Sequence, residues 1–170
     1  MEYLEKSASL SPCGRYRYGL YRRWQRRLTC RTIYWCLLNP SLADGAVDDA
    51  TVRKVVGFSD RWGYGAASIV NLVPWRATDP YDVIAAHRAG HDVMMRDVND
   101  LWLTSGEQLV VGWGDRVQSF RAAGIPVDPL IGMLTFGGLG IECLRVTAAG
   151  NPHHPCRLPY DQADRQGWPT

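Results

Sequence analysis

Lysine is nearly absent from this chain of 170 residues: Lys6 and Lys54 are the two, and the other strongly basic residues are all arginine. A formal net charge of +2 gives no overall polybasic character. Arginine suits planar, bidentate recognition of phosphate, and a GC-rich coding sequence produces the same bias. Five cysteines (Cys13, Cys30, Cys36, Cys143 and Cys156) form no CxxC pair and leave one over. They read as reduced thiols of a cytoplasmic protein rather than a disulfide framework, and an iron–sulfur cluster would need four of them to converge. No run approaches the ~20 apolar residues of a membrane span. Residues 1–10 carry Glu2 and Glu5 and no apolar centre, unlike a signal peptide. Repeats, low-complexity tracts and linkers are also missing, so residues 1–170 read as one domain. A chain of this size buries roughly 70% of its unfolded surface.

Several chemistries are excluded by missing motifs. There is no HxE…PCxxC of a zinc deaminase and no P-loop lysine motif. Gly137-Gly138-Leu139-Gly140 comes before a strand pattern, the wrong order for a dinucleotide loop. His87 and His91 have i,i+4 spacing, but Gly90 intervenes and no third ligand accompanies them, so no metal or other cofactor is expected.

What is present is an alternation of buried-strand and helix patterns. Residues 32–38 form an apolar run, followed by a helix capped by Asp48 or Asp49, with Val52, Val55, Val56 and Trp62 on one face and Gly63 as its stop. Residues 66–73 are a second strand; Asp79-Pro80 opens a helix, and another is predicted from about His91 to Leu103. Residues 108–112 are a third strand with a helix running to Ala123, then a short helix from Asp128 to Phe136 and a fourth strand over 141–146. Such alternation implies an α/β fold with a parallel sheet and helices on both faces. Ahead of it lies a basic, aromatic stretch, residues 15–31. Its Arg15-Tyr16-Arg17-Tyr18 suits a strand with one charged and one aromatic face. That surface reads either as a track for a phosphate backbone or as an edge strand protected by its charges.

Each of the four strands stops at a polar or aromatic cluster: Asn39-Pro40-Ser41, Asn71, Trp113-Gly114-Asp115, and His153-His154. In a parallel sheet these ends share one edge, where ligands of α/β proteins bind. Two amides and an imidazole without a charged nucleophile fit base recognition and stabilisation of developing charge better than covalent catalysis.

The order of these motifs resembles the uracil-DNA glycosylase superfamily, through Leu38-Asn39-Pro40-Ser41, Ile69-Val70-Asn71, Val111-Gly112-Trp113-Gly114 and His154-Pro155. The chain is also similar to an uncharacterised bacterial and phage domain family, through Ser11-Pro12-Cys13, Arg15-Tyr16-Arg17-Tyr18, Leu38-Asn39-Pro40-Ser41 and the stretch from Asn71 to Pro80. The first resemblance implies a three-layer α/β/α fold with a four-stranded parallel sheet, preceded here by the Arg/Tyr-rich strand segment. It implies a monofunctional DNA glycosylase that leaves an abasic site. Asn39 would position water, Asn71 would read an extruded base, and His154 (or His153) would donate to the departing base. Ser41 stands where a glycine is expected and would border the base; Cys156-Arg157 replaces a serine-proline after His154-Pro155. A smaller set of glycosylases of this kind acts on bulky modified cytosines in viral DNA, such as glucosylated hydroxymethylcytosine, which makes antiviral base excision the leading expectation.

The remaining roles follow from residue chemistry. An asparagine orients water but cannot remove its proton, so Asp44 or Asp48 is the candidate base. Trp75, Trp113 and Tyr64 are candidates to sandwich a flipped base, and Arg15, Arg17 and Arg76 to hold DNA phosphates. DNA is thus the expected partner, with no membrane and no obligate protein partner. Two other readings stay open: a non-catalytic reader of nucleic acid, and a hydrolase of free modified nucleosides or nucleotides.

Overall fold

The fold comes from a computed structural model that describes residues 1–26, 30–95, 108–136, 140–162 and 164–168. Among these, the strands are β1 (Glu5–Leu10), β2 (Arg17–Arg23), β3 (Thr32–Leu37), β4 (Ala66–Asn71), β5 (Leu109–Val111), β6 (Ile141–Cys143) and β7 (Gln166–Gly167). The helices are α1 (Ala50–Arg61), α2 (Pro80–Arg88), α3 (Val117–Ala122) and α4 (Asp128–Phe136). The strands form one mixed sheet in the order β1-β2-β4-β3-β5-β6-β7. The expected four-stranded parallel sheet is corrected to this larger one. Its middle, β4-β3-β5-β6, is parallel, and antiparallel β1 and β2 extend one side while β7 extends the other.

Local chemistry accounts for the helix ends. The Asp49 carboxylate accepts from the Val52 N–H at 2.7 Å and caps α1; at its other end Gly63 takes φ +78°, the left-handed stop that glycine adopts without strain. Asp79 caps α2 in the same way, with Pro80 at the first helical position. The helix expected from His91 does not begin there, since residues 91–95 make a turn; its remainder lies outside the described residues.

The apolar runs divide between two cores. Ile33, Trp35 and Leu37 of β3 face α1, joined by Val52, Val55, Val56 and Phe58. Cys36 and Leu38 point the opposite way, toward Val83 and Ile84 of α2, Val117 and Phe120 of α3, and Leu130 and Leu134 of α4. Covering both faces makes a central strand apolar at consecutive positions rather than at alternate ones.

The arginine-rich stretch behaves differently from expectation. Strand β2 is an inner strand, not an edge, and its Arg17 and Arg22 are buried at 3% and 0% exposure. A buried guanidinium must spend its donors inside the protein. Arg17 gives Nη1 to the Ala43 carbonyl at 2.9 Å and Nη2 to Asn71 Oδ1 at 3.2 Å. Arg22 gives Nε to Asp48 Oδ1 at 2.8 Å and Nη2 to the Asp44 carbonyl at 2.5 Å. Both therefore hold the 39–49 loop that leaves β3. Removing the partner of such a buried charge is far costlier than trimming a surface side chain. Asp48→Ala should lower the unfolding free energy by about 3–5 kcal/mol in urea titrations, whereas Arg15→Ala, at an exposed position, should change it by no more than about 0.5 kcal/mol.

Candidate functional site

The chain passes from β3 to β4 on one side, then returns to place β5 on the other side of β3. Connections diverge at such a reversal and leave a crevice beyond the carboxyl ends of the strands. A cleft of about 730 Å³ lies there. Its walls come from the segments after all four parallel strands: Leu38, Asn39 and Ser41; Ala77 and Thr78; Trp113 to Arg116; and Thr147, His153, His154, Cys156 and Arg157. Thr51 of α1, Pro80 and Tyr81 of α2 and Ser119 of α3 complete them.

Asn39 is held so that one atom is left for a ligand. Its Nδ2 donates to the Ala77 carbonyl at 2.9 Å and the Pro40 carbonyl at 3.3 Å. Two carbonyl partners use both amide hydrogens, and Oδ1 remains as an acceptor for a water or a substrate donor. Beside it, the Ser41 hydroxyl donates to Asp49 Oδ2. Asp49 thus caps α1 with one oxygen and binds a cleft hydroxyl with the other.

Two glycines bring the histidines close. A methyl group at Gly112 would stand 3.1 Å from Pro155 Cδ and 3.3 Å from the His153 carbonyl oxygen. At Gly114, with φ +70°, it would stand 3.3 Å from His154 Cβ. His154 Nδ1 accepts from the Cys156 N–H at 3.4 Å and lies 3.0 Å from the Cys156 thiol. Burial, reinforced by the Arg157 guanidinium, pushes this imidazole down to about 4, so the ring is neutral at pH 7. With Nδ1 accepting, the single ring proton resides on Nε2, which is a donor. His153 also lines the cleft, its N–H bound to the Arg145 carbonyl at 2.7 Å.

The structure brings Asn39, Ser41, Trp113, His153 and His154 together and leaves out the rest. Asn71 is buried beneath Arg17 and does not reach the cleft. Its register partner is Leu37, which faces α1, so the Asn71 side chain lies on that same side of the sheet. Tyr64 precedes β4, at the opposite end of the sheet, between the guanidinium groups of Arg31 and Arg165. Trp75 packs edge-on against Tyr16, with centroids 5.3 Å apart, and stacks on His91 at 5.2 Å. Trp113 is 1% exposed and meets Trp168 edge-on, so it is wall rather than a free stacking face.

Neither proposed carboxylate base serves the cleft. Asp44 folds its own turn through the N–H groups of Ala46 and Val47, which also lower its carboxyl below the usual range. Asp48 is occupied by Arg22 and by the Tyr3 hydroxyl. Of the arginines assigned to phosphate, Arg17 is buried and Arg76 donates to the carbonyls of Gly14 and Leu42. Arg15 is exposed but away from the cleft lining.

A family model described as "Protein of unknown function (DUF1643)" matches residues 17–156. The chain belongs to that family. No curated protein and no solved structure matches it. The matched span covers every segment that lines the cleft except Arg157.

Several cleft residues had no place in the sequence reading of this family member. Asp115 was part of a strand-end cluster but received no role. Its Oδ1 accepts from Thr147 Oγ1 at 2.6 Å and Asn151 Nδ2 at 2.8 Å, and these bonds hold its carboxyl below the usual range. Tyr81, Arg116 and Arg157 lie further along the same connections, 10, 5 and 14 residues beyond the ends of β4, β5 and β6, and only a rule extending beyond the first polar residue would have found them.

The state of His154 can be measured directly. Between its ordinary value of 6.5 and about 4 the folded chain binds fewer protons than the unfolded one. Its contribution therefore favours folding above pH 6.5 and is lost as the pH falls toward 4. NMR titration should place the midpoint for this ring near pH 4, and His154→Gln should flatten this limb of the stability–pH curve.

Proposed function

We propose that this chain is a monofunctional DNA glycosylase, with a three-layer arrangement of the uracil-DNA glycosylase kind, that hydrolyses the N-glycosidic bond of a modified base. The observation that carries the reading is the pairing, across one cleft, of a fixed amide oxygen at Asn39 with a neutral imidazole donor at His154. Breaking the bond sends its electron pair to the base and leaves an oxocarbenium-like sugar. Asn39 Oδ1 holds the water that attacks the anomeric carbon; His154 Nε2–H meets the charge that gathers on the base oxygen. A neutral donor suits this step because it needs no proton from solvent at pH 7.

The water must shed a proton, and Ser41 with Asp49 provides the route. The serine oxygen takes the proton as its own passes to the carboxylate, so the proton ends on Asp49 and the negative charge on the departing base. This replaces Asp44 and Asp48 in that role. Trp113 and Ser41 border the base, and His153 backs His154. A bare pyrimidine would leave much of a 730 Å³ cleft empty, which favours an enlarged base such as glucosylated hydroxymethylcytosine and a role against viral DNA.

Mass spectrometry of small molecules released from modified viral DNAs tests the reaction itself; no free base from any of them would sink the reading. Under conditions where base is released, Asn39→Ala and His154→Ala should each slow it about 10²–10³-fold. Asp49→Asn, which keeps a good helix cap, should also slow release, while Asp44→Asn should leave the rate unchanged. Equal rates for Asp49→Asn and the parent protein would remove the serine–aspartate route.

A further inference from the structure

Six arginines among the described residues are already engaged with the loop after β3 or with carboxylates. Arg17, Arg22 and Arg76 hold backbone carbonyls of the loop after β3. Arg23, Arg121 and Arg165 are paired with Glu5, Asp128 and Glu142. Arg116 and Arg157 differ: both are exposed, both line the cleft, and among the described residues neither is in an ion pair. The guanidinium of Arg116 lies over the ring of Tyr81, 4.7 Å from its centroid, and Tyr81 is itself 54% exposed on the cleft wall. Stacking fixes the plane of a guanidinium while leaving its N–H edges free, the arrangement that grips a phosphate with two parallel hydrogen bonds. Asp115 is the single carboxylate in the cleft lining, and its Oδ1 is already bound to Thr147 and Asn151.

We propose that Arg116, steadied by Tyr81, and Arg157 form a phosphate-binding pair on the solvent side of the cleft, taking phosphate groups attached to the nucleotide whose base enters it. The pair rests on the nucleotide reading of the cleft but not on any bond being broken there. Arg116 follows β5 and Arg157 follows β6, so the two reach the cleft from neighbouring strand ends. They take over the task first assigned to Arg15, Arg17 and Arg76.

The test is fluorescence anisotropy of a labelled single-stranded oligonucleotide titrated with the full chain over a range of salt. Each lost phosphate contact should reduce the slope of log affinity against log salt by about 0.7. Arg116→Gln and Arg157→Gln should each flatten it by that amount, the double variant by both together, and Arg15→Gln by none. Lysine at either position should restore the slope while leaving affinity below that of the parent, because the charge returns without the fork. A double variant with the parental slope, an Arg15→Gln effect as large as theirs, or no binding by the parent protein would each overturn the pair. Competition with a nucleoside 5′-monophosphate identifies the source: displacement at concentrations comparable to the oligonucleotide supports a free nucleotide, and failure to displace supports a phosphodiester chain. An arginine-dependent slope without base release keeps the pair and removes the glycosylase reading. Base release with an unchanged slope does the reverse.

Discussion

The cleft depends on three guanidinium groups that hold one loop. Segment 39–49 leaves the centre of the sheet and carries Asn39, Ser41 and Asp49, yet it is too short and polar to fix itself by apolar packing. Arg17, Arg22 and Arg76 bind its carbonyls at Ala43, Asp44 and Leu42, and Asp48 neutralises Arg22. Each of the three serves acceptors lying in different directions, which a single ammonium group does poorly. The arginine bias therefore has an architectural cause beside the two that composition suggests. It also explains why so much charge is buried in a chain whose net charge is small: the guanidinium groups solvate backbone that would otherwise need water.

Much of the architecture was legible in the sequence because the signals were local. Continuous apolar runs ending in Asn39, Asn71 and Trp113 announced central strands, and Asp49, Asp79 and Gly63 announced helix ends through capping chemistry that operates within four residues. The antiparallel additions were harder. Nothing in residues 5–10 signals a hairpin with β2, and nothing in residues 166–167 signals pairing with β6 well back in the chain, so the sheet was expected to be smaller than it is.

For the site, sequence located the correct edge but not the direction of each side chain. Asn39, Ser41, His153 and His154 lie just beyond their strands, where every backbone path opens into the crevice. Asn71 is still within β4, and the pleat turns it toward Arg17. Arg15-Tyr16-Arg17-Tyr18 reads as a two-faced exposed ribbon only if nothing covers it. The covering elements are its own hairpin partner β1 and the loop after β3, and burial by them reverses the meaning of a charged position. Asp44, Asp48 and Asp49 look alike in sequence; Asp49 is the one linked to the cleft, through Ser41, because a turn and an arginine take up the other two.

The way Arg17 reaches Asn71 and Arg22 reaches Asp48 has a bearing on how the molecule comes to exist. These bonds close stretches of 54 and 26 residues, and β2 finds its place beside β4 only after β3 and α1 have been threaded between them in sequence. Contacts so far apart along the chain carry a closure cost that must be met before any of them rewards it. The parallel pairs span comparable or longer stretches, 34 residues for Thr32 with Ala66 and 75 for Tyr34 with Leu109, so the loop bearing Asn39 is held by the same kind of long-range closure that assembles the sheet. The shape of the cleft is thus tied to closure of the whole sheet rather than to any one local segment of the chain.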